Sequence, residues 1–98
     1  MTTTEDARAG LIAVLRRIRD LLSEPEGRDF VHEIAEVDGF IRDLESGADR
    51  QVRSIGVLFY PTCDLQDIAI RCGWGDEYCR LADRAEALVP LLIPKSPL

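Results

Sequence analysis

A chain of 98 residues with 46% apolar, 31% charged and 6% aromatic side chains has the size and apolar content of one cored domain, which argues against a two-domain enzyme and removes any need for a metal or disulfide staple. No run of about 18 apolar residues is present for a membrane span, and the segment Met1–Asp6 lacks the basic and apolar regions of a secretory leader, so the expected address is the cytoplasm. The net charge of −6 is lopsided: residues 1–24 and 50–98 each balance acids against bases, while residues 25–49 hold eight acids against Arg28 and Arg42. A field of one sign over so short a segment steers cationic partners and repels phosphate.

Thr4, followed by Glu5 and Asp6, reads as a helix N-cap with acids placed for the dipole, and Ala7, Leu11, Leu15, Ile18 and Leu22 then recur at helical spacing to about Ser23. Pro25 and Gly27 interrupt the pattern. A second period, Phe30, Ile34, Val37, Ile41 and Leu44, predicts a helix stopped by Gly47 and folded back antiparallel on the first. Asp49 is a candidate cap for a third helix through Val52, Ile55, Leu58 and Phe59, ended by Tyr60-Pro61. The run Ile55–Tyr60 is rich in strand formers, however, so a two-stranded hairpin over 55–72 is the rival, giving an α+β fold. Helical spacing continues on both sides, and an isolated hairpin is only marginally stable, so the helical reading is preferred. Asp64 and Asp67 then open a short helix to Cys72 in a weak capping-box arrangement, Gly73-Trp74-Gly75 turns the chain, and a last helix runs from Asp76 and Glu77 to Pro90. The predicted architecture is all-α: a small antiparallel bundle of four to five helices in one domain, 1–98, with residues 90–98 as a Pro-rich tail that is extended or frayed.

On a helical wheel begun at Phe30, Asp29, Glu33, Glu36 and Asp43 cluster at about 220° to 300°, with Phe40 among them at about 280°, outside the apolar stripe. An aromatic ring amid carboxylates is an arrangement that anchors a cationic partner; the plainer reading has the acids solvated and Phe40 bent into a neighbouring helix. Asp43 and Glu45 lie at the unfavourable end of the helix dipole, a cost that keeps the functional reading in play. Trp74, between two glycines, either plugs the corner between the last two helices or serves as an interface anchor beside Tyr78.

The stretch 65–82 resembles the helix-turn-helix of bacterial regulators, with Ala69 as the small residue of the first helix, Gly73 in the turn, and Ile68, Cys72, Trp74, Cys79 and Ala82 at core positions. That resemblance implies DNA binding, with Arg80 and Arg84 as phosphate contacts. The would-be recognition helix opens on Asp76-Glu77 and is outnumbered in acids, so nucleic acid is disfavoured. Pro61-Thr-Cys-Asp-Leu-Gln-Asp67 with Gly73-Trp74 is also similar to a Pro-Thr-Gly-Asp/Ser-Leu-x-Asp/Glu loop and Gly-Trp segment found in small bacterial proteins, with Cys63 in place of the glycine. This second resemblance implies an immunity-like role beside a toxin.

Cys63, Cys72 and Cys79 are an odd number with spacings that match no zinc pattern, and His32 lies far from the core stripe; thiol catalysis and a metal site are not expected. No phosphate loop, serine elbow, metal-protease helix or dinucleotide fingerprint occurs, so neither an enzyme nor a cofactor is expected. The expected function is a cytoplasmic protein-binding module, immunity- or inhibitor-like, that presents Asp29, Glu33, Glu36, Phe40 and Asp43, with Trp74, to a basic protein. The alternatives are helix-turn-helix DNA binding through residues 65–87 and a structural homo-oligomer, such as a homodimer, that buries Phe40, Trp74 and the apolar tail.

Overall fold

The computed structural model describes residues 3–24, 30–47, 52–57, 59 and 64–93. These form five helices, α1 (Thr4–Ser23), α2 (Val31–Glu45), α3 (Val52–Val57), α4 (Asp64–Cys72) and α5 (Gly75–Leu92). The fold is all-α. The rival hairpin over 55–72 does not form: Ile55 lies in α3, residues 64–72 are α4, and no strand occurs among the described residues. Helix α1 packs on α2 along one side and on α5 along the other, and α5 also carries α3 and α4.

Helix α1 occupies this central place because its apolar stripe is wide. Ala7, Leu11, Val14, Leu15, Ile18, Leu21 and Leu22 are all buried, an arc of about 120° that serves two neighbours at once. Its start lies one residue earlier than the expected Thr4. Thr3 is the N-cap: its hydroxyl accepts from the Asp6 backbone N–H at 3.0 Å, and the Asp6 carboxylate accepts from the Thr3 N–H at 3.4 Å. The reciprocal box needs an acid three residues on, which Thr3 has in Asp6 and Thr4 lacks in Ala7.

The turns between helices follow from glycine. Gly47 closes α2 at φ +84° and Gly73 closes α4 at φ +86°, a region other residues seldom adopt. At the second, the Trp74 N–H donates to the Ala69 carbonyl at 2.9 Å and the Gly73 N–H to that of Ile70 at 3.3 Å. The paired bonds satisfy two end-of-helix carbonyls and carry Trp74 back over Ala69, both of them buried.

Two helix ends depart from expectation. Helix α3 is confined to Val52–Val57, with Phe59 in a turn whose N–H donates to the Gly56 carbonyl; the expected cap Asp49 and the Tyr60-Pro61 stop lie outside the described residues. Pro90 does not end α5, which continues through it to Leu92. A proline there removes one hydrogen bond and crowds the carbonyl four residues back. Its ring is exposed, while Val89 and Leu92 on either side are buried in the core and hold the last turn helical. Residues 90–92 are thus helical rather than an extended tail, and 94–98 lie outside the described residues.

Candidate functional site

Most of the acidic surplus is carried by α2, which holds five of the eight acids of residues 25–49, and its placement is set by which face of that helix is buried. Val37, Phe40, Ile41 and Leu44 form the buried set, while Phe30 and Ile34, on which the stripe was centred from sequence, are only half-buried. The core face is therefore turned by about 30° toward the acids. Phe40 falls inside it and is only 6% exposed. The expectation that Phe40 projects as a partner anchor is corrected: its ring is a core residue because the true stripe is centred between Phe40 and Ile41.

Trp74 is corrected in the same direction. It is 8% exposed and fills the α4–α5 corner, its ring centroid 6.3 Å from that of Tyr78, which in turn stacks on Phe59 at 6.1 Å. It is a corner plug, not an interface anchor, and its buried indole N–H has no hydrogen-bond partner. Cys79, assigned from sequence to a core position of the corner, is exposed.

The acids of α2 divide into two rows. Asp38 and Glu45 face α1, where Arg19 Nε meets the Asp38 carboxylate and Arg16 Nη2 lies 3.1 Å from Glu45 Oε2. The register of these pairs, with the later arginine meeting the earlier acid, makes α1 and α2 antiparallel. Glu33, Glu36 and Asp43 form the other row, and no hydrogen bond or ion pair joins their carboxylates to any described residue, although the Ser46 hydroxyl donates to the Asp43 carbonyl at 2.8 Å. Glu36 is exposed, and Glu33 and Asp43 are half-buried. One Asp43 carboxylate oxygen is fully buried without a hydrogen-bond partner, at the helix end where the dipole is already negative. Arg42 is the one base in the last turn. Asp29 lies outside the described residues. His32 is exposed, as expected from its wheel position.

Sequence reasoning missed the division because it treated α2 alone. The signal was in α1: arginines at 16 and 19 fall in antiparallel register with acids at 45 and 38. A third arginine binds the opposite neighbour. Arg17 forms a two-pronged pair with Glu77 of α5, Nε to Oε2 and Nη2 to Oε1, the latter at 3.0 Å. The hydrogen bond from Arg17 holds the Glu77 carboxyl below its ordinary value, and the bond to Glu77 raises the Arg17 guanidinium above its own.

In the segment that resembles a helix-turn-helix, Gly73 makes the corner between α4 and α5, and Arg80 and Arg84 are exposed on α5. Asp76 and Glu77 occupy the first turn of α5, and Glu77 is already bound to α1. No group of three His, Cys, Asp or Glu side chains suited to a metal occurs among the described residues, and no described helix is long and apolar enough to cross a membrane. Set against protein-family models, curated proteins and solved structures, the chain matches none of them.

Proposed function

We propose that this chain is a non-catalytic protein-binding module of the inhibitor or immunity kind, working in the cytoplasm, that meets a basic protein through the Glu33, Glu36 and Asp43 row of α2. The reading is supported by one asymmetry: α1 supplies arginines to the acids on its own side of α2 and leaves the other row without cations. Carboxylates left in this way are ready to receive lysines or arginines from outside, Glu36 most readily because it is the exposed member of the row. With Phe40 and Trp74 in the core, recognition on this face is chiefly electrostatic. The expected mechanism is occlusion, in which carboxylates occupy a cationic site that would otherwise hold phosphate, and binding weakens as salt screens the exposed charges. The Pro61–Trp74 resemblance adds the immunity-like colour, and reduced thiols at Cys72 and Cys79, which form no disulfide, agree with a cytoplasmic address.

Glu33→Lys combined with Glu36→Lys tests this directly. Proteins retained from the native source by the wild-type chain at low ionic strength should be lost by the double variant and released from the wild type by salt, with helix content unchanged by circular dichroism. Retention of the same proteins by both chains, insensitive to salt, defeats the proposal.

A further inference from the structure

The arginines of this chain are not all engaged. Arg16, Arg17, Arg19 and Arg71 each sit in an ion pair, whereas no ion pair or hydrogen bond joins the side chains of Arg80 and Arg84 to any described residue. Both are exposed, one turn apart on α5. Arg42, the one base of α2, shares this condition but has no second arginine beside it. Asp76 and Asp83, within one turn of Arg80, pair with neither cation, and Glu77 is already taken by Arg17. The Glu77 carboxyl is held below its ordinary value first by the Arg17 hydrogen bond and also by the nearby charge of Arg80.

The surroundings of the two arginines leave room for another helix. At 100° per residue, Arg80, Arg84, Leu88 and Leu91 fall within an arc of about 80° along α5. Arg84 Nη2 lies 3.5 Å from where a Cβ at Gly10 would stand, which turns this flank toward α1. There α1 presents Gly10 with the exposed Ala9 and Ala13, short residues over which a second element can approach. Leu91, 49% exposed, adds an apolar edge at the end of the flank. The charge that the flank lacks is found on α2. Glu33 and Glu36 stand about 4.5 Å apart along their helix axis, against about 6 Å for Arg80 and Arg84.

We infer that Arg80 and Arg84 receive the Glu33–Glu36 row of a second copy of this chain. The inference takes that row as a docking surface, as proposed above, and adds the surface that fits it. Two guanidiniums set against two carboxylates at nearly matching steps form charge-assisted hydrogen bonds, and Asp43 continues the row beyond them. Flank and row are different surfaces, so each copy offers both and association is head to tail. Local complementarity works against repulsion between copies of net charge −6, which makes the association weak and dependent on concentration. The row thereby has a resting cover that a more basic partner displaces.

Sedimentation equilibrium of the full chain across a concentration series tests this. The mean mass should rise with concentration and fall back to that of one chain as salt is added. Arg80→Glu with Arg84→Glu should weaken association at least about tenfold, and Glu33→Lys with Glu36→Lys should do the same, with helix content unchanged by circular dichroism. An equal mixture of the two double variants should associate again, because the reversed row then meets the reversed flank. A wild type of single-chain mass throughout, or a mixture no heavier than its parts, overturns the inference. The Arg80→Glu, Arg84→Glu chain keeps its acid row and should still retain proteins from the native source, so a failure of self-association leaves the preceding proposal standing.

Discussion

The two sides of α1 are built on opposite plans. Toward α5 the backbone comes close, with Gly10 under Leu88 and a two-pronged arginine on Glu77. Toward α2 the helix carries two single-point pairs, Arg16 with Glu45 and Arg19 with Asp38. The contrast is clearest in the glycines. A Cβ at Gly10 would stand 3.0 Å from a Leu88 methyl, whereas one at Gly39 would meet nothing within 4 Å. Two glycines in the middle of helices thus carry opposite meanings, one permitting close packing and the other only lowering helix stability, and the neighbouring helix decides which is which.

Substitutions should expose that contrast in order of size. Ile18→Ala removes a fully buried side chain from the stripe that α1 shares between both partners and should cost about 2–5 kcal/mol, read as the largest fall in a denaturant midpoint. Gly10→Val forces a branched side chain against Leu88 and should cost about 1–3 kcal/mol. Gly39→Ala, the same kind of change on the other side, should instead stabilise by about 1 kcal/mol; a loss there would show that something described elsewhere in the chain needs Gly39. Arg16→Ala breaks an exposed single-point pair and should change stability by less than about 1 kcal/mol.

The Arg17–Glu77 pair gives the subtlest effect, a dependence on pH. Glu77 has its folded value lowered, so its contribution is complete above the ordinary carboxylate value and fades as pH falls through the lowered one. Arg17 is raised, so its contribution is complete below the ordinary guanidinium value and disappears only in strong alkali. Glu77→Gln should therefore flatten the acid limb of a stability–pH curve while leaving neutral to mildly alkaline pH with a constant offset. An acid limb of unchanged slope would show that the pair is solvated away in solution.

Much of this architecture is legible in the residues themselves. The stripe Ala7–Leu22 and the stops at Gly47 and Gly73 follow from spacing and from the need for positive φ. The cap at Thr3 was one residue off because both threonines precede acids, and only the three-residue offset to Asp6 separates them. Phe40 was misplaced by centring the wheel on Phe30, a residue that caps the helix rather than belonging to it. Pro90 obeyed the local rule less than the pull of Val89 and Leu92 into the core. Of the candidate face, Glu33, Glu36 and Asp43 keep their place, but the removal of Asp38 and Glu45 by α1 depends on a register between helices that no single-helix pattern contains.

The molecule's one tryptophan lies in the α4–α5 corner against Tyr78. Intrinsic emission is consequently a local reporter, sensitive to solvent entering that corner. Far-ultraviolet ellipticity sums all five helices. A melt followed by both signals compares that one corner with the helices as a whole.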